Sequence, residues 1–296
     1  MRERLGYLLY ATGWAVVRRL PERAAYAGFA LVADAVWRVR PGAVRRLERN
    51  LRRVVGPGAP RSVPRALARA AMRSYMRYWC EVFRLPDWDR DRTVSTVRTV
   101  HEERLREPLA AGRGVVAPLP HMGNWDHAGA WAARTGAPVT TVAERVRPER
   151  LYERFLAYRR AIGIEIVPLT GGPAPPMDLL VARAGAGRLV PLLADRDLRR
   201  GGGVRVSFFG EAARFPPGPA MLAVRTGAVL LPVTLHVERT DLVLTFHPPV
   251  EPPASGSVRE QVTAMTQQVA ATFERAIREH PADWHMLQPV WEADLS

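Results

Sequence analysis

The chain has no lysine: all 43 basic residues among its 296 are arginine. That excludes a phosphate-loop lysine, a Schiff-base lysine and a Ser–Lys dyad. There is one cysteine, Cys80, so no intramolecular disulfide and no paired-cysteine metal site. Cys80 ends the helical-looking stretch Arg73-Ser74-Tyr75-Met76-Arg77-Tyr78-Trp79-Cys80 and reads as a packing residue in a cytosolic chain. No His/Cys cluster offers a metal site, so neither metal nor cofactor is expected. Long apolar runs are also missing. Leu5 to Val17 holds thirteen apolar or small residues, short of the ~20 that span a bilayer. No internal repeat is visible.

What is present is a 47% apolar composition, ample for a core, and a net charge of +14. Abundant Ala, Pro and Gly beside the arginines suggest a high-GC coding bias, so part of the Arg-for-Lys choice is genomic. The excess charge still favours anionic partners: phospholipid headgroups, coenzyme A or nucleic acid. The arginines are dispersed and no recognition-helix or RNP-like motif occurs, so nucleic acid is not expected.

Arg2 and Arg4 precede the Leu5–Val17 run, and Arg18-Arg19 follow it. No small-residue cleavage site makes it a signal peptide. A second apolar helix, Ala24 to Val39, follows. Tyr7, Tyr10 and Trp14 favour a membrane–water interface. Residues 1–40 therefore read as an interfacial, membrane-facing helical segment; the alternative is a buried helix pair. A basic amphipathic helix is expected within 41–58 before Gly56-Pro57-Gly58, and another from Ser62 to Phe83 before Leu85-Pro86.

Beyond this, strands and helices alternate. Val115–Leu119, Val139–Ala143, Ile164–Leu169 and Leu189–Ala194 are candidate strands. Trp125–Arg134, Pro148–Ile162 and Met177–Ala184 are candidate helices. Val204–Phe209, Val229–Glu238 and Leu242–Phe246 read as further strands, and Val258–Glu279 as a closing helix. The expected fold is α/β, with a central, mostly parallel or mixed sheet flanked by helices. Proline-rich pieces such as Pro173-Ala174-Pro175-Pro176 read as loops rather than linkers, so residues 1–296 are expected to form one domain.

The richest segment is His121-Met122-Gly123-Asn124-Trp125-Asp126, directly after the first of these strands. A histidine held by a carboxylate can deprotonate a hydroxyl. No serine or cysteine nucleophile lies beside it, so the hydroxyl would be the substrate's own. The spacing alone is weak, since His236-Val237-Glu238-Arg239-Thr240-Asp241 repeats it; that copy lies between two strand-like runs and reads as a polar hairpin turn. In the first copy Gly123 permits a tight turn and Asn124 can cap the helix starting at Trp125. Five residues of continuous helix would set the two side chains about 140° apart. The expected form is therefore a turn into a helix, with Asp126 curling back toward His121. The bland alternative is a core imidazole beside a capping carboxylate. Ligands bind at the carboxyl ends of parallel strands. Glu144 and Asp195-Arg196-Asp197 follow two other candidate strands, so three strand ends deliver polar residues to one rim.

This constellation resembles the bacterial lipid A biosynthesis acyltransferase family. The resemblance rests on His121-x4-Asp126, Glu144, Asp195-Arg196-Asp197, Phe208-Phe209-Gly210, Pro216-Pro217-Gly218-Pro219-Ala220, Val224-Arg225-Thr226-Gly227-Ala228 and Pro281-Ala282-Asp283-Trp284-His285. It covers most of the chain and looks closest to the actinobacterial branch, which contains the phosphatidylinositol mannoside acyltransferases. It implies a glycerolipid-acyltransferase-like fold at the cytoplasmic face of the inner membrane. It implies acyl transfer from acyl-CoA, as co-substrate, to a sugar hydroxyl of a glycolipid, the mannose 6-hydroxyl in that branch. By position, His121 would be the general base and Asp126 its orienting carboxylate. Glu144 and Asp195 would hold the sugar, with Arg196 beside them, and Arg159 would serve the acceptor or its phosphate. Asp195 departs from the glutamate expected there. A glycerolipid acceptor, or a non-catalytic membrane-binding role, remains the alternative.

Overall fold

The structure is a computed structural model describing residues 12–145, 149–172, 174–197 and 202–295. Its centre is a five-stranded parallel sheet in the order β4-β3-β5-β2-β8. The strands are β2 (Val115–Leu119), β3 (Val139–Ala143), β4 (Ile164–Pro168), β5 (Leu189–Leu193) and β8 (Val229–Leu230). Every residue of β2 is buried, as an apolar run covered on both faces must be. Its side chains alternate: Val116 packs into one core, while Val115, Ala117 and Leu119 pack into another. The crossover helices α7 (Trp125–Arg134), α8 (Glu149–Ala161) and α9 (Pro176–Gly185) cover this sheet, and α10 (Gly218–Thr226) and α11 (Val258–Glu279) complete the first core. Ser257 starts α11 with a reciprocal capping box to Glu260.

The expected strands and helices form within one or two residues of their sequence limits, with one instructive exception. Val229–Glu238 is not continuous. It breaks at Leu231-Pro232 into β8 and β9 (Val233–Glu238). Pro232 has no N–H to donate to a ladder, and there the chain leaves the parallel sheet. It enters a second sheet, β1-β10-β9, with β1 at Val97–Val100 and β10 at Asp241–Phe246. The second His-x4-Asp copy is indeed the β9–β10 hairpin, with Asp241 paired to Glu238. Phe208-Phe209-Gly210 is the turn between β6 (Val204–Phe208) and β7 (Glu211–Phe215), with Phe208 fully buried against Trp291.

At the amino end, residues 12–19 (α1) and Glu22–Val39 (α2) are helical. Helices α3 (Gly42–Val55) and α4 (Ser62–Arg84) follow. No described helix is long and apolar enough to cross a membrane. Trp14, expected at an interface, is instead buried: its indole N–H donates to the Phe83 carbonyl at 2.9 Å and its ring packs on Phe83, Phe155 and Tyr158. An indole with a carbonyl acceptor inside an aromatic nest gains more from burial than from a wet boundary. Tyr7 and Tyr10 lie outside the described residues. One face of α2 does point outward and is apolar: Ala24, Ala27, Leu31, Val32, Ala35 and Val39 are exposed.

Candidate active site

His121 and Asp195 each lie two residues beyond a strand. β2 and β5 are neighbours in parallel register, Leu119 opposite Leu193. The same offset on adjacent strands places the two side chains together. Asp195 Oδ1 lies 2.5 Å from His121 Nδ1, and Asp195 Oδ2 accepts the His121 backbone N–H at 2.9 Å. The Trp284 indole N–H donates to the same Oδ2 at 2.9 Å. Asp195 is fully buried. Burial alone pushes its carboxyl up. The His121 charge, the ring hydrogen bond, the indole and the backbone N–H together outweigh it and hold the carboxyl below its ordinary value. In the neutral imidazole, an ionised Asp195 takes a proton-bearing Nδ1, which leaves Nε2 as the lone pair of a base.

Asp126 does not take that place, which corrects the sequence expectation. It is buried in the first turn of α7, and its two oxygens are engaged elsewhere. Oδ2 accepts the Tyr78 hydroxyl at 2.9 Å and Oδ1 accepts Arg159 Nε at 3.0 Å. The helix turns Asp126 toward α4 and α8, and the strand order gives the histidine a different carboxylate. The charge on Asp126, outweighing burial, holds the Arg159 guanidinium firmly protonated. Burial, then Asp126, keeps the Tyr78 phenol neutral. So Arg159 and Asp126 form one buried unit, and His121 and Asp195 another. Trp125 joins them, 4.3 Å from the Tyr78 ring and 5.7 Å from the His121 ring.

The turn itself forms as expected. Gly123 has φ +60°, and a Cβ there would stand 2.8 Å from the Leu235 Cβ. Asn124 caps α7 by accepting the His127 N–H at 3.0 Å, and its amide donates to Glu81 at 2.8 Å. Glu144 lies exposed at the end of β3. Arg196 reaches Gln288 through Nη1. The structure thus joins Asp195 to the histidine and leaves Glu144 and Arg196 at the rim.

Several site residues entered the sequence reading only through the family resemblance, without a chemical role. Pro281 to His285 forms a strap over the turn. Gly123 N–H donates to the Asp283 carbonyl at 3.0 Å, and His285 N–H to the His121 carbonyl at 2.8 Å. Asp283 also accepts Ser74 Oγ at 2.6 Å and the Val237 N–H at 3.0 Å. Only the Asp-Trp-His order hints at this, since a short polar–aromatic run after a long helix suits a buried anchor. Cys80 is buried, and that burial pushes its thiol up to about 12. It is a packing residue, as expected.

This geometry can be set beside known proteins. The model of the family described as bacterial lipid A biosynthesis acyltransferase matches residues 1–293. The chain belongs to that family. Phosphatidylinositol mannoside acyltransferase of Mycolicibacterium smegmatis is 48% identical over 287 residues, 97% of this chain and 91% of that protein. The protein of the same name from Mycobacterium tuberculosis is 45% identical over 289 residues, 97% and 89% of the two chains. The expected resemblance therefore holds, and with it the reading of the chain as an acyltransferase.

In this acyltransferase the strap also carries a titration. Ser74 gives its proton to Asp283, so its oxygen accepts from His285 Nε2–H, 2.9 Å away. His285 is buried, and burial, then the His121 charge, lowers it to about 3. The unfolded chain binds a proton near pH 6.5 and the folded chain does not, so stability falls as pH drops from about 6.5 toward 3. The expected slope from this residue is about 1.4 kcal/mol per pH unit. Urea unfolding at pH 7, 6 and 5 checks it, and His285→Gln should flatten the slope by about one proton.

Proposed function

We propose that the protein transfers a long-chain acyl group from acyl-CoA to a mannose hydroxyl, the 6-hydroxyl, of a phosphatidylinositol mannoside. The observation that carries this is the His121–Asp195 pair at the carboxyl ends of two adjacent parallel strands, in a chain of this family. The names of its relatives support the acceptor. The sugar hydroxyl attacks the thioester carbonyl while His121 Nε2 takes its proton. Asp195 holds the tautomer and stabilises the imidazolium that forms. The tetrahedral intermediate then collapses to the ester, the carbon–sulfur bond breaks, and the leaving thiolate takes the proton from His121. General-base help of this kind is worth about 10²–10⁴ in rate.

The oxyanion needs donors. Gly123 N–H is already bonded to the Asp283 carbonyl, so it does not serve. The N–H groups of Trp125 and Asp126 at the start of α7, left without intrahelical acceptors by helix geometry, are the remaining donors. Arg159, held by Asp126, and exposed Glu144 stand as acceptor-binding groups, with Arg196 beside the pair.

The enzyme works on lipids from the cytoplasmic membrane surface. Support comes from the outward apolar face of α2 and the +14 charge. Leu31→Glu with Val32→Glu should weaken binding to anionic vesicles at least tenfold, since each loses apolar burial worth about 1.5–3 kcal/mol. Turnover of a water-soluble short-chain thioester should stay within twofold. Vesicle sedimentation and thiol release check the two halves. The acceptor itself is tested by incubating the enzyme with palmitoyl-CoA and either a phosphatidylinositol mannoside or a lysoglycerolipid, then locating the new ester by mass spectrometry and NMR. An ester on mannose supports the proposal. An ester on glycerol alone overturns it.

A further inference from the structure

Away from the His121–Asp195 pair, a cleft of about 350 Å³ opens between α1 and α8, lined by Ala15, Arg18, Arg19, Asp87 and Arg154. Its charges do not balance. Arg18 is committed to Asp87, with Nε 2.6 Å from Oδ2. Among the described residues, Arg19 and Arg154 have no carboxylate within ion-pair distance. Two uncompensated guanidiniums facing one concavity repel each other unless an anion sits between them.

Arg154 is also held in place. Its guanidinium lies 4.8 Å over the ring of buried Trp14, whose indole is fixed by the Phe83 carbonyl. A guanidinium held over a ring keeps its N–H fork, which suits the paired oxygens of a phosphate. The surroundings select a lipid source. On the same short helix as Arg18 and Arg19, Val16 is exposed, as is Leu20 directly after it. Basic groups beside exposed apolar side chains match the depth at which headgroup phosphates sit above the acyl region. Helix α8 then runs from Arg154 to Arg159, a rise of roughly 7.5 Å, and Arg159 is the residue tied to Asp126 in the catalytic region.

We infer that this cleft binds the phosphodiester of a phospholipid headgroup. Resting on the function proposed above, the first source is the acceptor's own phosphodiester; the second is bulk phospholipid around the docked enzyme. The site is distinct from the catalytic pair and acts on lipid binding, not on chemistry.

The test uses the full chain carrying Arg19→Gln and Arg154→Gln. A charge-matched control carries Arg113→Gln and Arg259→Gln, both exposed elsewhere. Affinity is measured for phosphatidylcholine vesicles with and without phosphatidylinositol, independently of any activity. The cleft variant should lose about fivefold or more in affinity for the phosphatidylinositol vesicles, with the control near wild type. Arg154→Lys should lose part of it, because charge remains and the fork does not. In kinetics, a raised KM for the phospholipid acceptor with kcat unchanged assigns the acceptor's phosphodiester, and an unchanged KM with weaker vesicle binding assigns bulk lipid. Vesicle binding equal to wild type, or a loss matched by the control, overturns the inference. So does a raised KM for palmitoyl-CoA instead, which would make the cleft a donor site. If no acceptor is turned over by wild type, the function reading fails while the vesicle result still judges the cleft.

Discussion

His121→Ala is expected to lower turnover by about 10²–10⁴ while leaving vesicle binding close to wild type. The His121 backbone contacts with Asp195 and His285 remain, but the buried Asp195 carboxylate loses its imidazole partner, so the melting temperature should fall as well. Asp195→Asn is expected to approach the same loss for a different reason. An amide offers one oxygen where the carboxylate takes the imidazole N–H, the His121 backbone N–H and the Trp284 indole. Its NH₂ must face a donor, and the histidine then loses its tautomer. The contrast is Asp126→Asn. Asp126 compensates the buried Arg159 charge, and breaking a buried pair costs about 3–5 kcal/mol. That variant should show a depressed melting temperature before any change in the pH–rate profile. Steady-state kinetics and calorimetry on the three variants separate base, orienter and scaffold. If Asp126→Asn shifted the pH–rate profile and Asp195→Asn did not, the roles assigned to the two carboxylates would be reversed.

Gly123→Ala is the second large effect. The residue has φ +60°, and the added Cβ would meet Leu235 Cβ at 2.8 Å and its backbone at 3.2 Å. A left-handed alanine costs about 1–2 kcal/mol, and the close contact adds an overpacking cost of about 1–3 kcal/mol. The turn cannot drift outward to relieve this, because the Asp283 carbonyl holds Gly123 N–H and Trp284 bridges Met122. The expected result is a melting temperature lowered by several degrees together with a kcat loss of at least tenfold, since misplacement of the base by even 1 Å can cost about 10². Thermal unfolding and kinetics on one preparation check both. A variant as stable and active as wild type would show that the turn is not pinned.

Much of the scaffold was legible in the sequence because its signals are local. Val115 to Leu119 is a continuous apolar run, Asn124 and Gly123 mark a turn into a helix, and Val258 to Glu279 carries the helical period of α11. The partner of His121 was not legible, because it depends on strand order. Chain order sets β3 after β2, whereas β5 lies beside β2 and brings Asp195 with it. A five-residue spacing suggested Asp126, and helix geometry turned that carboxylate to Tyr78 and Arg159. β1, α6 (Glu103–Ala110) and β7 escaped notice for a related reason. Val97-Arg98-Thr99-Val100 is too short and too polar to stand out until β10 pairs with it. Trp14 was misplaced because an amphipathic aromatic looks the same at a membrane boundary and in a nest of rings.

Thiol release from palmitoyl-CoA by wild type and His121→Ala, each with and without a phosphatidylinositol mannoside, tests the proposed transfer most directly. The expected result is release that requires the acceptor and is lost in the variant, with ester formed in equal amount. Release by wild type that is indifferent to the acceptor, or that survives in His121→Ala, would contradict it.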